Sequence, residues 1–499
     1  MRREDLTEEI RLEIAYQAYH LQGNYGEITK LAEKYEICRS FVYVLLNIFK
    51  AYLGEVFSAK EKEKVISKKE LIGRMAFLRM VGRNSINSIS EIMKYDNLKY
   101  SGMGTISQSL CTVGSLLPSV QYIPSDSKIE IVAVADEIFI GNQPIFITLD
   151  PISSVILSIS LEKYRDKESW ESHLNEIEDG NINIISMVSD EGKGLVSAIK
   201  NKDILWQPDV YHTIAHRLGS WVHRLEQRAY KRIGIEYQRK AVISSAKSPK
   251  VINKRRYKYA KACEQTIKAI EIYENFCYLY QYIINEIQPF HSNGELRDRL
   301  EAKENIEVAL ELIETLENEP INNQIRGIRR ILPELLNYFD EAKRAIIRCK
   351  ALKIDDENIT LLTLLWKWGK SVMKAKKSER KTKVKQEYNF YLQYAKDTLG
   401  DKFMEIKTAI FNELDKIIQA SSMVENINSI LRPYLNNSKN QITQEFLNLF
   451  AFYHNHRRYK DGKRKGKIPM EMITGKKQKK DWLELLTDFI EKTEPQFFL

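Results

Sequence analysis

Asp136 and Asp190 each close an apolar, β-rich run, and Glu425 sits far downstream on a stretch of helical spacing. Three carboxylates do chemistry together only if the fold brings them to one point. There, like charges raise one another's pKa and cannot all stay ionised unaided. A divalent cation removes the conflict, and carboxylate-held metals support in-line phosphoryl transfer. The trio alone carries no weight, because Asp and Glu make up 67 of 499 residues and some trio always fits. Its meaning depends on the elements that position it.

The first run, Lys-Ile-Glu-Ile-Val-Ala-Val-Ala-Asp136-Glu137-Ile138, begins at Lys128. Strand-like runs follow at Gln143 to Leu149 and Val155 to Leu161. Asp166 starts a helical pattern with Trp170, Leu174 and Ile177 on one face, and Ile182 to Val188 reads as a buried strand leading to Asp190. A short helix, Gly194 to Lys200, and a strand, Ile204 to Val210, close a β-β-β-α-β-α-β unit. A right-handed crossover lays the fourth strand parallel to the first and sets Asp136 beside Asp190. That layout resembles the ribonuclease H fold.

Glu425, Asn428 and Arg432 fall at i, i+3 and i+7 in Ser422-Met-Val-Glu425-Asn-Ile-Asn428-Ser-Ile-Leu-Arg432-Pro-Tyr434, one face of a helix. With Ala-Asp136-Glu and Ser-Asp190-Glu-Gly-Lys, this stretch resembles DDE transposases. The tail, Phe452-Tyr-His-Asn-His-Arg-Arg-Tyr-Lys-Asp-Gly-Lys-Arg-Lys-Gly-Lys-Ile-Pro469 with Glu471 and Gly475 beyond, resembles the ends of bacterial insertion-sequence transposases. The resemblance covers residues 128–212 and 420–475. It implies that Asp136, Asp190 and Glu425 are catalytic and hold two Mg²⁺, or Mn²⁺ in substitution, about 3.5–4 Å apart. The long gap between the second and third acids implies a helical domain inserted into the catalytic fold, as in the hAT and Mutator groups. Those groups carry Cys-x-x-His or Asp-x-x-His after the second acid. Asp209-Val-Tyr-His212 is the counterpart here, with Asp209 orienting the imidazole and His212 contacting a phosphate or the attacking water. In the insertion, Leu365-Trp366-Lys-Trp368 reads as core before it reads as a base-stacking site.

Residues 6–52 read as three helices, the last two forming a helix-turn-helix around Glu36-Ile-Cys38. Its third helix would enter the major groove with Arg39, Ser40 and Tyr43 outward. The pattern recurs at 68–117, with Ser107 and Gln108 near the start of the third helix. Prolines and small polar residues then mark a linker. Near the other end, the apolar stretch Phe446 to Tyr453 is expected to dock on the sheet. It would set Arg457, Arg458, Lys460, Lys463, Arg464, Lys465 and Lys467 beside the scissile phosphates. Asn428 and Arg432 complete the expected DNA contacts.

The net charge of +10 predicts an anionic partner, nucleic acid before membrane. No apolar run approaches the roughly 20 residues that span a bilayer. The five cysteines show no C-x-x-C pair, and the start lacks the apolar core of a signal peptide. The expectation is a reduced cytoplasmic protein associated with the nucleoid, with no membrane partner.

The expected architecture is multidomain, α plus α/β. It comprises a helix-turn-helix domain (1–58), a second such domain (59–117) and a linker (118–127). A ribonuclease H-like core in two parts (128–217 and 406–455) surrounds an all-α insertion (218–405), and a basic tail (456–499) follows. The expected function is a DNA transposase that binds terminal inverted repeats and catalyses Mg²⁺-dependent cleavage and strand transfer. Its partners are double-stranded DNA, both transposon ends and target, and further copies in a homodimer or larger homo-oligomer. The alternatives are a catalytically idle domesticated transposase that only binds DNA, and a ribonuclease H-like nuclease that cuts without joining.

Overall fold

Thr7 opens the first helix by accepting the N–H of Ile10 at 3.3 Å, as an N-cap hydroxyl does. In this computed structural model, which describes residues 5–57, 66–124, 128–316, 318–376, 378–438, 441–462 and 464–495, three helices follow: α1 (Glu8–His20), α2 (Glu27–Lys34) and α3 (Arg39–Phe57). Their apolar stripes close a small core around Ile14, Leu31, Val42 and Leu46. Glu36, in the left-handed region at φ 51, reverses the chain between α2 and α3, whose axes bend by 102°. Arg39, Ser40 and Tyr43 lie exposed on α3. Next come α4 (Lys68–Met80), α5 (Ile86–Tyr95) and α6 (Met103–Leu116), with Ser107 and Gln108 exposed on α6. The chain forms two units, Met1–Leu71 with Ile86–Ile106, and Ile72–Ser85 with Ser107–Leu499. Residues 59–117 are therefore shared between the two.

In the larger unit, β1 (Ile129–Ile140), β2 (Gln143–Leu149) and β3 (Ile156–Leu161) form the expected meander. Asp166 caps α7 (Lys167–Asp179) through the N–H of Ser169, and α7 crosses over to β4 (Ile182–Ser189). A second crossover, α8 (Lys193–Asn201), leads to β5 (Leu205–Pro208). The sheet order is β3-β2-β1-β4-β5, with antiparallel pairs on the meander side and parallel pairs on the other. Period-two alternation puts Ile131, Ala133 and Ala135 on the face covered by α7 and α8, where Trp170 stacks on Phe146 at 3.7 Å.

One expectation is corrected here: β1 does not end at Asp136. Its parallel pairing with β4 stops at Val134↔Val188, but antiparallel pairing with β2 runs on to Ile140↔Gln143. Gly141, at φ 58, makes the tight turn that lets it continue.

A π-helical turn (Tyr211–His216) leads into α9 (Arg217–Ala241), α10 (Pro249–Glu286), α11 (Arg299–Glu314) and α12 (Glu319–Leu335). Then come α13 (Tyr338–Ala351), α14 (Asp356–Lys374), α15 (Ser378–Leu399) and α16 (Phe403–Leu414). These helices share one apolar core that runs from Val210 to Ile417. α12 and α13 would be one long helix but for a break at Leu336-Asn337. Asn337 accounts for the break: it donates to the Trp206 carbonyl of β5 at 2.8 Å and accepts from Arg299 at 2.8 Å. Trp366 is core, with its indole N–H on Asp415 at 2.9 Å.

α17 (Ser422–Asn437) packs on β1, and α18 (Gln444–His456) packs on β3. An edge strand leaves backbone groups unpaired, and α18 satisfies several with side-chain amides. Gln444 accepts from Leu161 N at 2.8 Å and donates to Ile159 O at 2.9 Å; Asn455 bonds both N and O of Ile156. The stretch read as a linker joins them. Gln121 N donates to Leu157 O at 2.8 Å, and Ile123 is fully buried. It is tied to the sheet up to Pro124, because its apolar residues complete the core. The basic tail is likewise folded. Tyr459 and Lys467 close a turn at 2.9 Å, and α19 (Pro469–Thr474) and α20 (Trp482–Thr493) follow, with Trp482 against Tyr453. Among the described residues no single helix is long and apolar enough to cross a membrane.

Candidate active site

The parallel register pairs Val134 with Val188, so Asp136 and Asp190, each two residues on, leave the shared stretch of β1 and β4 level with one another. Alternation turns Asp136 away from the Ala135 face and toward α17, where Asn428 Nδ2 donates to its Oδ2 at 2.8 Å. Asp190 lies in the turn before α8 and accepts from Gly192 N at 2.9 Å. Glu425, one turn before Asn428 on α17, meets His212 Nε2 at 2.9 Å.

What brings α17 to the sheet is Asp209. This carboxylate, 2% exposed, accepts from Ser421 N at 2.7 Å, Ser421 Oγ at 2.6 Å and His212 N at 2.9 Å. It welds the end of β5 to the start of α17. The expected role of Asp209 is thus corrected. Its oxygens are taken up by backbone groups and a hydroxyl, and Glu425 holds the imidazole.

The electrostatics follow from this crowding. Burial pushes the Asp136 carboxyl up to about 6, and the charges of Asp190, Glu137 and Glu425 add to the push against a backbone hydrogen bond. Burial disfavours a charged His212. The hydrogen bond to Glu425, with the charges of Asp209, Glu425 and Asp136, outweighs it and raises the imidazole above its ordinary value. Burial also raises Glu137, against the guanidinium of Arg165 at 2.7 Å.

Asp136, Asp190 and Glu137 line a narrow cleft of about 10 Å³ with Arg165, Trp170 and Gly192. Among the described residues no three of His, Cys, Asp and Glu already stand close enough to hold a metal ion. The donor set nonetheless suits an oxygen-seeking dication. Two carboxylates stand level, one with a raised pKa, and the Asn428 Oδ1 beside them is buried without a hydrogen-bond partner. Asp136 and Asp190 are the two carboxylates that could hold such an ion. Glu425 could join them through Oε2, since only its Oε1 is engaged by His212.

Of the other expected site residues, Arg432 is exposed on α17. Asn428, expected to face DNA, is 5% exposed and spends its amide on Asp136. Arg457 stacks over Tyr453 and Tyr459, and Arg458 donates to Gly466 O at 2.6 Å, so both are engaged inside the tail. Lys460, Lys465 and Lys467 are exposed, and Lys463 lies outside the described residues. Arg464 donates to Pro151 O and Ile152 O at 2.8 and 3.0 Å and reaches Met423 Sδ at 3.8 Å, two residues from Glu425. Sequence reasoning missed this anchor, the Arg165 partner of Glu137 and the Asn428 bond. None has a signal in local spacing, because each joins segments remote in the chain. Comparison with family models, with curated proteins and with solved structures finds no match.

Proposed function

We propose that the chain is a DNA transposase whose larger unit is a ribonuclease H-like catalytic domain with a helical insertion, and whose α2–α3 pair is a helix-turn-helix that reads transposon ends. The observation that carries this reading is the level placement of Asp136 and Asp190 by the Val134↔Val188 register, with α17 delivering Glu425 to the same face. The strand order and the mixed directions support it. For the arm, support comes from the 102° bend and the exposure of Arg39, Ser40 and Tyr43.

In this reading Asp136, Asp190 and Glu425 would hold Mg²⁺, which when bound supplies Lewis acidity to the attacking and leaving oxygens of an in-line displacement. Asn428 orients the Asp136 carboxylate. Asp209 holds α17 in place, and through it Glu425. His212 keeps Glu425 on the site side, and the same hydrogen bond raises its pKa, which favours the charged imidazole that a phosphate would attract. Arg464 ties the basic turn to the loop after β2, so that Lys460, Lys465 and Lys467 present charge to the DNA backbone.

One observation favours a second reading, the catalytically idle DNA-binding protein: Asn428 and His212 already occupy two of the acids, and no closed metal group stands. The two are separated by incubating the protein with DNA from both flanks of its gene and a supercoiled target in Mg²⁺ or Mn²⁺. Strand cleavage and joined products, lost in Asp190→Ala, are expected. Specific binding without cleavage in either metal supports the idle reading.

A further inference from the structure

We infer that the far half of the α9–α10 hairpin is a docking surface for duplex DNA, which it holds by the phosphates without regard to base sequence. The inference does not rest on the catalytic reading.

The two helices run antiparallel, as Arg232 bonds Gln265 and Arg255 bonds the Val242 carbonyl near the tip. From Tyr230 to Lys261 no side chain is buried. Helices in proteins draw most of their stability from a packed apolar face, and this segment adds none to the core. Between Arg228 and Lys261 the chain has twelve Lys and Arg against one acid, Glu236. Among the described residues none of the twelve is ion-paired. Packed helices of the insertion carry paired charge instead, as in Arg299–Asp340, Arg329–Glu314 and Arg348–Glu341. Mixed, paired charge is what a solvated helix face carries. A projection of one sign repels itself, and an anion that spans the same length relieves the repulsion.

The length and charge match duplex DNA. From Arg228 to the end of α9 the helix runs for about 21 Å at ~1.5 Å per residue. Twelve cations over that length are one per ~1.8 Å, against one phosphate charge per ~1.7 Å of duplex axis. Tyr230, Tyr237 and Tyr257, all exposed among these cations, add hydroxyl donors of the kind that bond phosphate oxygens.

The test uses the full chain and a duplex of random sequence. The fourfold variant Arg228→Gln, Arg239→Gln, Lys250→Gln and Arg256→Gln is compared with the parent. Each lost phosphate contact lowers the slope of log affinity against log salt by roughly 0.9, so a slope flatter by about 2–4 units is expected. The charge-keeping set (Arg228→Lys, Arg239→Lys, Arg256→Lys) should retain the parent slope. An unchanged slope in the fourfold variant overturns the proposal. So does a loss confined to anionic phospholipid vesicles or to single-stranded RNA, with duplex binding intact. If the fourfold variant melts early, the four single variants are measured instead, and an unchanged slope in all of them overturns it equally.

Discussion

Asn428 donates its side-chain N–H to Asp136 across 2.8 Å, although 292 residues separate the two in the chain. The bond supports a carboxylate that burial and its acidic neighbours would otherwise neutralise. Asn428→Ala should cost about 1–3 kcal/mol, the usual toll of stranding a charged group's hydrogen bond. Asn428→Asp should cost more in EDTA, because it adds another acid to the cluster, and should recover in Mg²⁺. Urea unfolding near pH 7.5 in the two buffers measures both, and an Asp variant indifferent to Mg²⁺ would argue against a dication at this point.

Asp136 also sets a pH dependence. Its folded pKa of about 6 stands above the ordinary 3.8. Between those values the folded protein keeps a proton that the unfolded chain has released, so stability falls as pH rises through the window. The penalty is complete above pH 6 and absent below pH 4. Asp136→Asn removes it and leaves Asn428 an acceptor. In EDTA the variant should therefore exceed the parent by up to about 3 kcal/mol near pH 8 and match it near pH 4. Equal gaps at both pH values would sink this account.

Asp209 is predicted to act on catalysis only through position. Asp209→Ala strands the N–H and hydroxyl of Ser421 and the N–H of His212, a loss of about 2–4 kcal/mol. Cleavage of end DNA should drop at least tenfold at saturating DNA, with affinity for that DNA unchanged. A normal melting temperature in this variant would exclude the proposed weld.

The amino-terminal boundary for truncation lies near Ser67 and not near Lys128. Within the larger unit, Tyr434 hydroxyl donates to Met80 O at 2.5 Å, and Asn448 donates to Gly114 O and Leu117 O at 3.1 Å. A Cβ at Gly114 would sit 2.1 Å from Glu445 O, so α6 and α18 are in backbone contact. A chain starting at Ser67 should stay folded and cut DNA but lose preference for its own ends. One starting at Lys128 should aggregate or melt early. If the longer chain still chose end DNA over random duplex tenfold, the α2–α3 pair would not be the reader.

In the tail, the lysines and arginines should part company. Lys460→Gln, Lys465→Gln and Lys467→Gln together should flatten the salt slope by roughly 2–3 units and leave the melting temperature alone. Arg457→Gln and Arg458→Gln should do the reverse, since their guanidiniums stack on Tyr453 and Tyr459 and bond Gly466. Matching effects from the two sets would mean that the turn is not folded as described.

The sheet was legible in the chain because its signals are local. Apolar, β-rich runs located β1 to β4, Asp166 announced α7, and the acids after two parallel strands pointed to one place. The long gap between Asp190 and Glu425 announced the helical insertion. Tertiary structure decided what depends on a partner. β1 runs past Asp136 because β2 is there to pair with it. The long helix breaks at Asn337 because that amide reaches Trp206, and 118–124 and the basic tail are folded because β3 and its neighbours offer them a surface. Asn428 turned from an expected DNA contact into the support of Asp136, and Asp209 from the orienter of a histidine into the anchor of α17. A hydrogen bond between segments remote in sequence leaves no periodicity behind. It exists only once hydrophobic burial has brought its two ends together.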